Sequence, residues 1–333
     1  MMQSNDGEVG LAIVGAGLVA QLHSRAIQTC HQARLVGVYD VQPERAQQLA
    51  AEHKARVYQS QDELLKDGDV CGVHVLTPPA GHVPATIAAL EAGKHVLLEK
   101  PLADQAEDLY QIASTAAQQN RLCMPAHNYI YVPSLLQAKR LIDEGKLGKI
   151  AAFWMLFNLY HTRELVEKYG SIYRVACTHH AYSLLYLLGR PSRLISFGVP
   201  GVHTPDLPYA AQTAITCEMP NGALANLWAS FAAKDLTNDP WQVVYKVLGT
   251  QGGVNYSWNE ACYEDDGGPG FGMPGYVDSF CHEVDFFVNR CILANQQPLS
   301  TLQDALDALR IIEASEVASR KGTAVELQFD DLS

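Results

Sequence analysis

The sequence predicts an α/β domain built on a parallel sheet, followed by an α+β domain whose sheet is mostly antiparallel. Three observations predict this. Strand and helix patterns alternate through the first 125 residues. An apolar run near the start breaks into a Gly-x-Gly-x-x-Ala turn. From about residue 126 the rhythm changes to strand patterns separated by turns.

In the first part, strand patterns lie at 9–14, 34–39, 70–76 and 95–98, with a short one near 121–124. Helical patterns fall between them at Val19–Thr29, Pro43–Glu52, Val83–Ala92 and Gln105–Asn120. Such alternation builds a parallel sheet covered on both faces. Two strands end at prolines, in Leu76-Thr77-Pro78-Pro79 and in Glu99-Lys100-Pro101. Proline stops the ladder and fixes the direction in which the chain leaves. Ligands of these sheets bind beyond the carboxyl ends of the strands.

In the second part, Ile150–Leu159, Leu194–Phe197, Gln212–Glu218, Ala223–Phe231 and Gln242–Gly249 read as strands. Met219-Pro220-Asn221-Gly222 is a hairpin signal. Helices are expected at Leu135–Glu144, His180–Leu188, Val277–Ala294 and Thr301–Lys321, with a Gly/Asp/Pro-rich loop over 264–275. The domains are drawn at 1–125 and 126–333.

The strand Leu11-Ala12-Ile13-Val14 runs into Gly15-Ala16-Gly17-Leu18-Val19-Ala20, and a second apolar run, Arg34–Tyr39, ends on Asp40. That combination describes a dinucleotide site on a Rossmann domain. Gly15 permits the tight turn, Gly17 lets a pyrophosphate approach the backbone, and Ala20 lets the helix sit close to the strand. The N–H groups at the helix start, around Leu18 and Val19, face the phosphates. Asp40 accepts from the adenosine ribose hydroxyls and repels a 2′-phosphate. Val41 follows it where a 2′-phosphate binder often has Arg or Ser, so NAD is expected over NADP. A βα turn that binds nothing is the competing reading, and the strand, helix and acidic residue around the motif argue against it.

A net charge of −12 argues against a polyanionic partner such as nucleic acid. The 333 residues, 48% hydrophobic and 18% charged, suffice for two globular domains. No apolar run approaches the ~20 residues of a membrane span. Residues 1–7 are polar without a signal-peptide pattern, so a cytoplasmic protein is expected. The eight cysteines, at 30, 71, 123, 177, 217, 262, 281 and 291, form no Cys-x-x-Cys pair and read as small buried side chains in a reducing compartment.

Beyond these readings, the chain resembles the glucose–fructose oxidoreductase/inositol dehydrogenase (Gfo/Idh/MocA) family over nearly its whole length. Besides the turn at 13–20, Thr77-Pro78-Pro79-Ala80-Gly81-His82 is similar to the family's Thr-Pro-x-x-x-His segment. Gly93-Lys94-His95-Val96-Leu97-Leu98-Glu99-Lys100-Pro101 is similar to its Gly-Lys-His-Val…Glu-Lys-Pro signature, the most specific of these matches. Asn128 and Pro133, Gly145–Ile150 and the ending from Phe280 to Glu326 fit as well.

The resemblance implies a Rossmann domain joined to an α+β domain with a large open sheet. It also implies hydride exchange between a nicotinamide cofactor and a hydroxyl of a sugar, cyclitol or related polyol, in a homodimer or homotetramer formed through that sheet. It makes Lys100 the active-site lysine and His179 the catalytic histidine. It places Thr77, Pro78, His82 and Glu99 with Lys100 at the cofactor. The chain departs from the family's pattern, which has Asp four residues before the histidine and again three after it. Here Val175 and Tyr182 stand there, and Ile130 replaces an Arg near Asn128.

Asn128, Tyr173, Arg174 and Tyr182 are therefore the candidates for the substrate side. His161, Cys177, His179, His180 and His282 show no recognised metal spacing, and no metal is expected. Trp154, Phe157, Tyr160, Trp241 and Trp258 are either a sugar-stacking set or plain core. Two other readings stay open: an NAD-using glycosidase or lyase with transient oxidation and no net redox, and a non-catalytic NAD- or sugar-binding protein.

Overall fold

The computed structural model describes residues 7–235, 241–257 and 274–332. The chain forms two compact units. The first takes in Met1–Tyr131, Val277–Leu306 and Leu332–Ser333, and the second Val132–Tyr276 and Asp307–Asp331. Compactness thus cuts the chain after Tyr131 instead of at 125/126. It also returns a later segment to the first unit, which a single cut does not represent.

The first unit alternates β1 (Val9–Val14), α1 (Leu18–Thr29), β2 (Ala33–Tyr39), α2 (Pro43–His53), β3 (Arg56–Val57), α3 (Gln61–Lys66), β4 (Gly72–Val75), α4 (Pro79–Glu91), β5 (His95–Glu99), α5 (Ala106–Gln119) and β6 (Cys123–Ala126). A 3-10 turn, Asn128–Tyr131, follows. The sheet is parallel throughout, in the order β3-β2-β1-β4-β5-β6. β1 and β4 are buried along their whole lengths, as central strands covered on both faces must be. Val14 pairs with Tyr39 and Val75, and Val75 with Leu98, so these strands finish along one edge. Gly15, Asp40, Thr77 and Lys100 follow at that edge.

The second unit opens with α6 (Pro133–Asp143), β7 (Ile150–Leu159), α7 (Arg163–Tyr169), α8 (Ile172–Val175) and α9 (Cys177–Leu188). β8 (Arg193–Val199), β9 (Gln212–Glu218), β10 (Leu224–Ser230), β11 (Trp241–Gly249) and β12 (Gly253–Ser257) follow. The chain continues through α10 (Pro274–Asp285), a π-helical run Phe286–Ile292, α11 (Leu302–Lys321) and β13 (Val325–Glu326). The second sheet runs β12-β11-β7-β10-β9-β8-β13, with only the β7–β10 pair parallel. The turn at 219–222 joins antiparallel β9 and β10, with Gly222 at φ +83°.

Phe153, Met155, Ile215, Leu227 and Val243 are buried on one face of this sheet. Their neighbours along the strands, led by Trp154, Phe197 and Leu224 at 42%, 65% and 47% exposure, occupy the other. The strand period of two sets this division. The aromatic set read from the sequence is split by it. Trp154 is on the open face, whereas Phe157 packs against Phe231 and His180. Trp258 and residues 264–273 of the expected 264–275 loop lie outside the described residues, and Pro274 and Gly275 open α10 instead of closing that loop.

Candidate active site

The nucleotide turn has the geometry its residues require. Gly15 sits at φ +99°, and a Cβ there would lie 2.6 Å from the backbone of Leu76 and Thr77, so only glycine fits. Gly17 is the N-cap of α1 with no side-chain cap, and a Cβ on it would meet nothing within 4 Å. The helix therefore presents its first-turn N–H groups at a place where an anion can come close. Leu18 is exposed and Val19 half-buried at this start. Asp40 accepts from Ala16 N–H at 2.6 Å and from Gln42 N–H at 2.8 Å, pinning the turn to the end of β2. A carboxylate accepts about four hydrogen bonds, which leaves capacity for ribose hydroxyls. Val41 beyond it is 82% exposed and offers a 2′-phosphate no charge. These residues fit NAD: Gly15 and Gly17 would shape its cradle, the start of α1 would face its phosphates, and Asp40 would accept from its ribose hydroxyls.

The loops after β4 and β5 carry the next group. Pro78 is the exposed N-cap of α4, and Thr77 before it is half-buried. His82 is buried, with Nδ1 2.8 Å from the Pro101 carbonyl and Nε2 2.7 Å from the Thr77 carbonyl. It ties the two loops together, so it supports the cofactor edge rather than reaching over it. Lys100 is half-buried, and desolvation pushes its ammonium pKa below the ordinary lysine value against the opposing pull of Glu99. A lysine so placed is readier to exist as the neutral amine that takes a proton.

Beneath Lys100 lies a polar cluster that sequence reasoning missed. The Glu99 carboxylate is 3.8 Å from His23 Nε2, and His23 Nδ1 is 3.2 Å from His74 Nδ1. Phe280 packs edge-on against His23, and Phe287 against His74. Burial pushes His74 well below the ordinary histidine value, with His23 adding to the shift. His127 lies 2.6 Å from Ser300 Oγ, and burial, assisted by Lys100, pushes its pKa down to about 3. Asn128 is buried and donates to Ser279 Oγ at 2.8 Å, an anchoring contact within the first unit.

In the second unit, α9 carries the paired histidines and starts at Cys177, one turn before the expected His180. His180 is spent on structure: Nδ1 is 3.1 Å from the Ala176 carbonyl and Nε2 3.0 Å from the Trp228 carbonyl. Burial pushes its pKa down to about 4. His179 instead has Nδ1 2.6 Å from the Tyr182 hydroxyl, with the rings edge-to-face at 5.4 Å. Val175 ends the separate short helix α8. Tyr173 is buried with its hydroxyl 2.6 Å from Ser196 Oγ, and a Cβ on Gly198 would lie 2.5 Å from that hydroxyl. Arg174 forms a two-toothed pair with Glu316 at 3.2 and 2.9 Å. These contacts of the two side chains lie within the second unit. No group of three or more His, Cys, Asp or Glu that could hold a metal ion is found among the described residues.

Comparison with known proteins identifies the fold and the family. Residues 9–127 match the GFO_IDH_MocA model, an oxidoreductase family with an NAD-binding Rossmann fold, and residues 135–255 match the GFO/IDH/MocA C-terminal domain. A glucose-6-phosphate 3-dehydrogenase of Bacillus subtilis is 31% identical over 147 residues, 44% of this chain and 41% of that protein. Among the first such relatives, the match spans about two fifths of their length. An NAD(+)-dependent scyllo-inositol 2-dehydrogenase of Bacillus subtilis is 25% identical over 96% of both chains. The crystal structure of a myo-inositol dehydrogenase from Corynebacterium glutamicum shares the fold at a TM-score of 0.85, with 19% identity over 97% of this chain and 100% of that one. With a family model on each of its two parts, the chain belongs to the Gfo/Idh/MocA oxidoreductase family.

Proposed function

We propose that this protein is an NAD-dependent dehydrogenase that oxidises a hydroxyl of a sugar, cyclitol or related polyol, or reduces the corresponding carbonyl. The observation that carries the reading is the shared edge of the first sheet. There the Gly15–Gly17 turn is bonded to Asp40, and Lys100 is desolvated beside Glu99. When bound, NAD supplies the hydride acceptor. Asp40 and the start of α1 hold its adenosine ribose and phosphates, and Thr77, Pro78 and Glu99 line the same edge. Lys100 and His179 are the proposed catalytic residues, and Asn128, Tyr173, Arg174 and Tyr182 the proposed residues of the substrate side.

The test is reduction of NAD by a panel of polyols and sugars, followed by absorbance. Lys100→Ala is expected to lower turnover by ~10²–10⁴-fold while calorimetry still detects NAD binding. Full activity in that variant refutes the assignment. Val175, in a position where an acidic residue is expected, favours a second reading: transient oxidation with net elimination or glycoside cleavage. Turnover without stoichiometric NADH selects it.

The protein is further proposed to be cytoplasmic and to work as a homodimer or homotetramer on a small-molecule substrate, without nucleic acid or membrane. The net charge of −12 supports the first exclusion. No described helix is long and apolar enough to cross a membrane. The seven free cysteines among the described residues suit a reducing compartment. The apolar open face of the second sheet supports association with a second copy.

A further inference from the structure

We propose that His23 is a positioning residue whose Nε2–H is held toward the Glu99 carboxylate, as the middle link of a buried chain that runs from His74 through His23 to Glu99. The whole chain lies within the first unit, and it rests on the dehydrogenase reading above only for what the fixed carboxylate does beside Lys100.

Three elements bring the groups together. α1 carries His23, β4 carries His74, and β5 ends on Glu99. Both rings are fully buried and meet edge-to-face, with centroids 5.1 Å apart. Their Nδ1 atoms are 3.2 Å apart, a hydrogen bond with room for one proton, so one ring donates and the other accepts. His23 Nε2 is 3.8 Å from the carboxylate, longer than a hydrogen bond but close enough for the charge to orient an N–H dipole. Phe280 packs edge-on against His23, and Phe287 against His74, which fixes both ring planes.

Two observations give the chain its direction. A carboxylate only accepts, so a lone pair on His23 Nε2 would face negative charge across a buried gap, whereas an N–H there is attracted. With Nε2–H on a neutral His23, its Nδ1 is the acceptor and His74 donates from Nδ1. His74 Nε2, which has no hydrogen-bond partner among the described residues, is then a lone pair. The reverse chain would put an N–H there without an acceptor, and buried N–H groups are rarely left so. Protonating His23 reverses the first link, since both of its nitrogens then donate, but keeps Nε2–H on Glu99. His74 stays neutral throughout, because burial, with His23 adding, pushes its pKa well below the ordinary histidine value. The other carboxyl is Glu283, at helical spacing between Phe280 and Phe287 and coupled to Tyr131. Burial, with repulsion from Glu99, raises its pKa and keeps it protonated. Glu99 is therefore the anion that the pair faces, and His23 holds it as the countercharge that opposes the desolvation of Lys100.

The test is two-bond ¹H–¹⁵N correlation on the full-length protein with ¹⁵N-labelled histidine, over a range of pH. His23 and His74 are assigned by the signals lost in His23→Gln and His74→Gln. The expected wild-type result is a proton on His23 Nε2 wherever the protein is folded, and on His74 Nδ1 wherever His23 is neutral. Glu99→Leu removes the acceptor and leaves the two directions of the chain balanced, so the Nδ1–H population of neutral His23 is expected to rise several-fold. A wild-type His23 protonated on Nδ1 alone, or a tautomer unchanged in Glu99→Leu, overturns the proposal. These spectra need neither turnover nor ligand. If Lys100→Ala were fully active, or no pyridine nucleotide bound, the dehydrogenase reading would fail while the tautomers still decided the proposal. With an active substrate in hand, His23→Leu is expected to lower kcat about tenfold with NAD affinity unchanged in calorimetry, and His23→Gln, whose amide N–H replaces the Nε2–H, to restore most of it. An unchanged kcat in His23→Leu, or no recovery in His23→Gln, overturns the positioning role.

Discussion

Glu283 has no accessible surface on α10, and neither of its carboxylate oxygens has a hydrogen-bond partner among the described residues. An ionised carboxylate cannot be held there at tolerable cost, so burial, with Glu99 adding repulsion, pushes its pKa well above the ordinary value. Glu99 and Tyr131 are the ionisable neighbours that couple to it. The sign for stability follows from the unfolded chain, where a glutamate ionises near 4.5. Above that pH the unfolded state sheds a proton that the folded state keeps, so this group's contribution falls as pH rises. Glu283→Gln removes the proton exchange and keeps the shape. Relative to wild type, its unfolding free energy is expected to rise as pH increases above the unfolded value of 4.5, with a slope approaching ~1.4 kcal/mol per pH unit for as long as the folded carboxyl keeps its proton. A difference that stays flat with pH in denaturant titrations contradicts the neutral carboxyl. The residues of this cluster were partly legible in the sequence. Ala20, His23 and Ile27 follow the spacing of a buried helical stripe, as do Phe280, Glu283 and Phe287. The pattern shows that a His and a Glu go inside. It does not show that α1, β4, β5 and α10 bring His23, His74, Glu99 and Glu283 together.

The strand–turn–helix unit β1–α1 separates two glycines that look alike in the motif. Gly15 needs its missing Cβ for the fold, because φ is +99° and the Leu76 backbone is 2.6 Å from where a Cβ would lie. Gly17 needs it only for a ligand, because its φ is −79° and the space over it is open. Gly15→Ala is therefore expected to lose roughly 2 kcal/mol or more of stability, read as a lower melting temperature. Gly17→Ala is expected to melt like wild type while its NAD affinity in calorimetry falls at least tenfold. Unimpaired NAD binding by Gly17→Ala would remove the pyrophosphate from this turn. At this scale the sequence was most legible where the period was long and regular: β1, β2, α2, α5, β7, β9 and α11 all occur where the pattern puts them. The two-residue strands β3 and β13 and the short α3, α7 and α8 were not read, since so few residues complete no period. The boundary of α4 also moved. It begins at Pro79, because proline is well suited to the first turn of a helix.

At the scale of the whole molecule, the described residues leave one apolar face of the second sheet uncovered, and the sequence did not reveal it. Trp154 and Phe157 sit three residues apart, so on a strand they point to opposite faces, and a single aromatic stripe was never possible. What the outward parity collects is Trp154, Leu156, Trp228 and Val244 around a shallow depression of about 370 Å³, with Lys246 at its margin. Phe197 and Leu224 add to it at 65% and 47% exposure. Soluble monomers rarely keep so many large apolar side chains in water on one surface. A sheet face is self-complementary across a two-fold axis, the commonest symmetry of homo-oligomers. A second copy of this chain is therefore its expected occupant, and light scattering of the purified protein at micromolar concentration should give at least twice the monomer mass. Trp154→Glu places a charge at the centre of the face, where it would have to be desolvated opposite its own image. That variant should run as a monomer, and since Trp154 is already 42% exposed in the single chain, far-ultraviolet dichroism should show a folded protein. A wild-type monomer, or an oligomer untouched by Trp154→Glu, assigns this face to some other occupant.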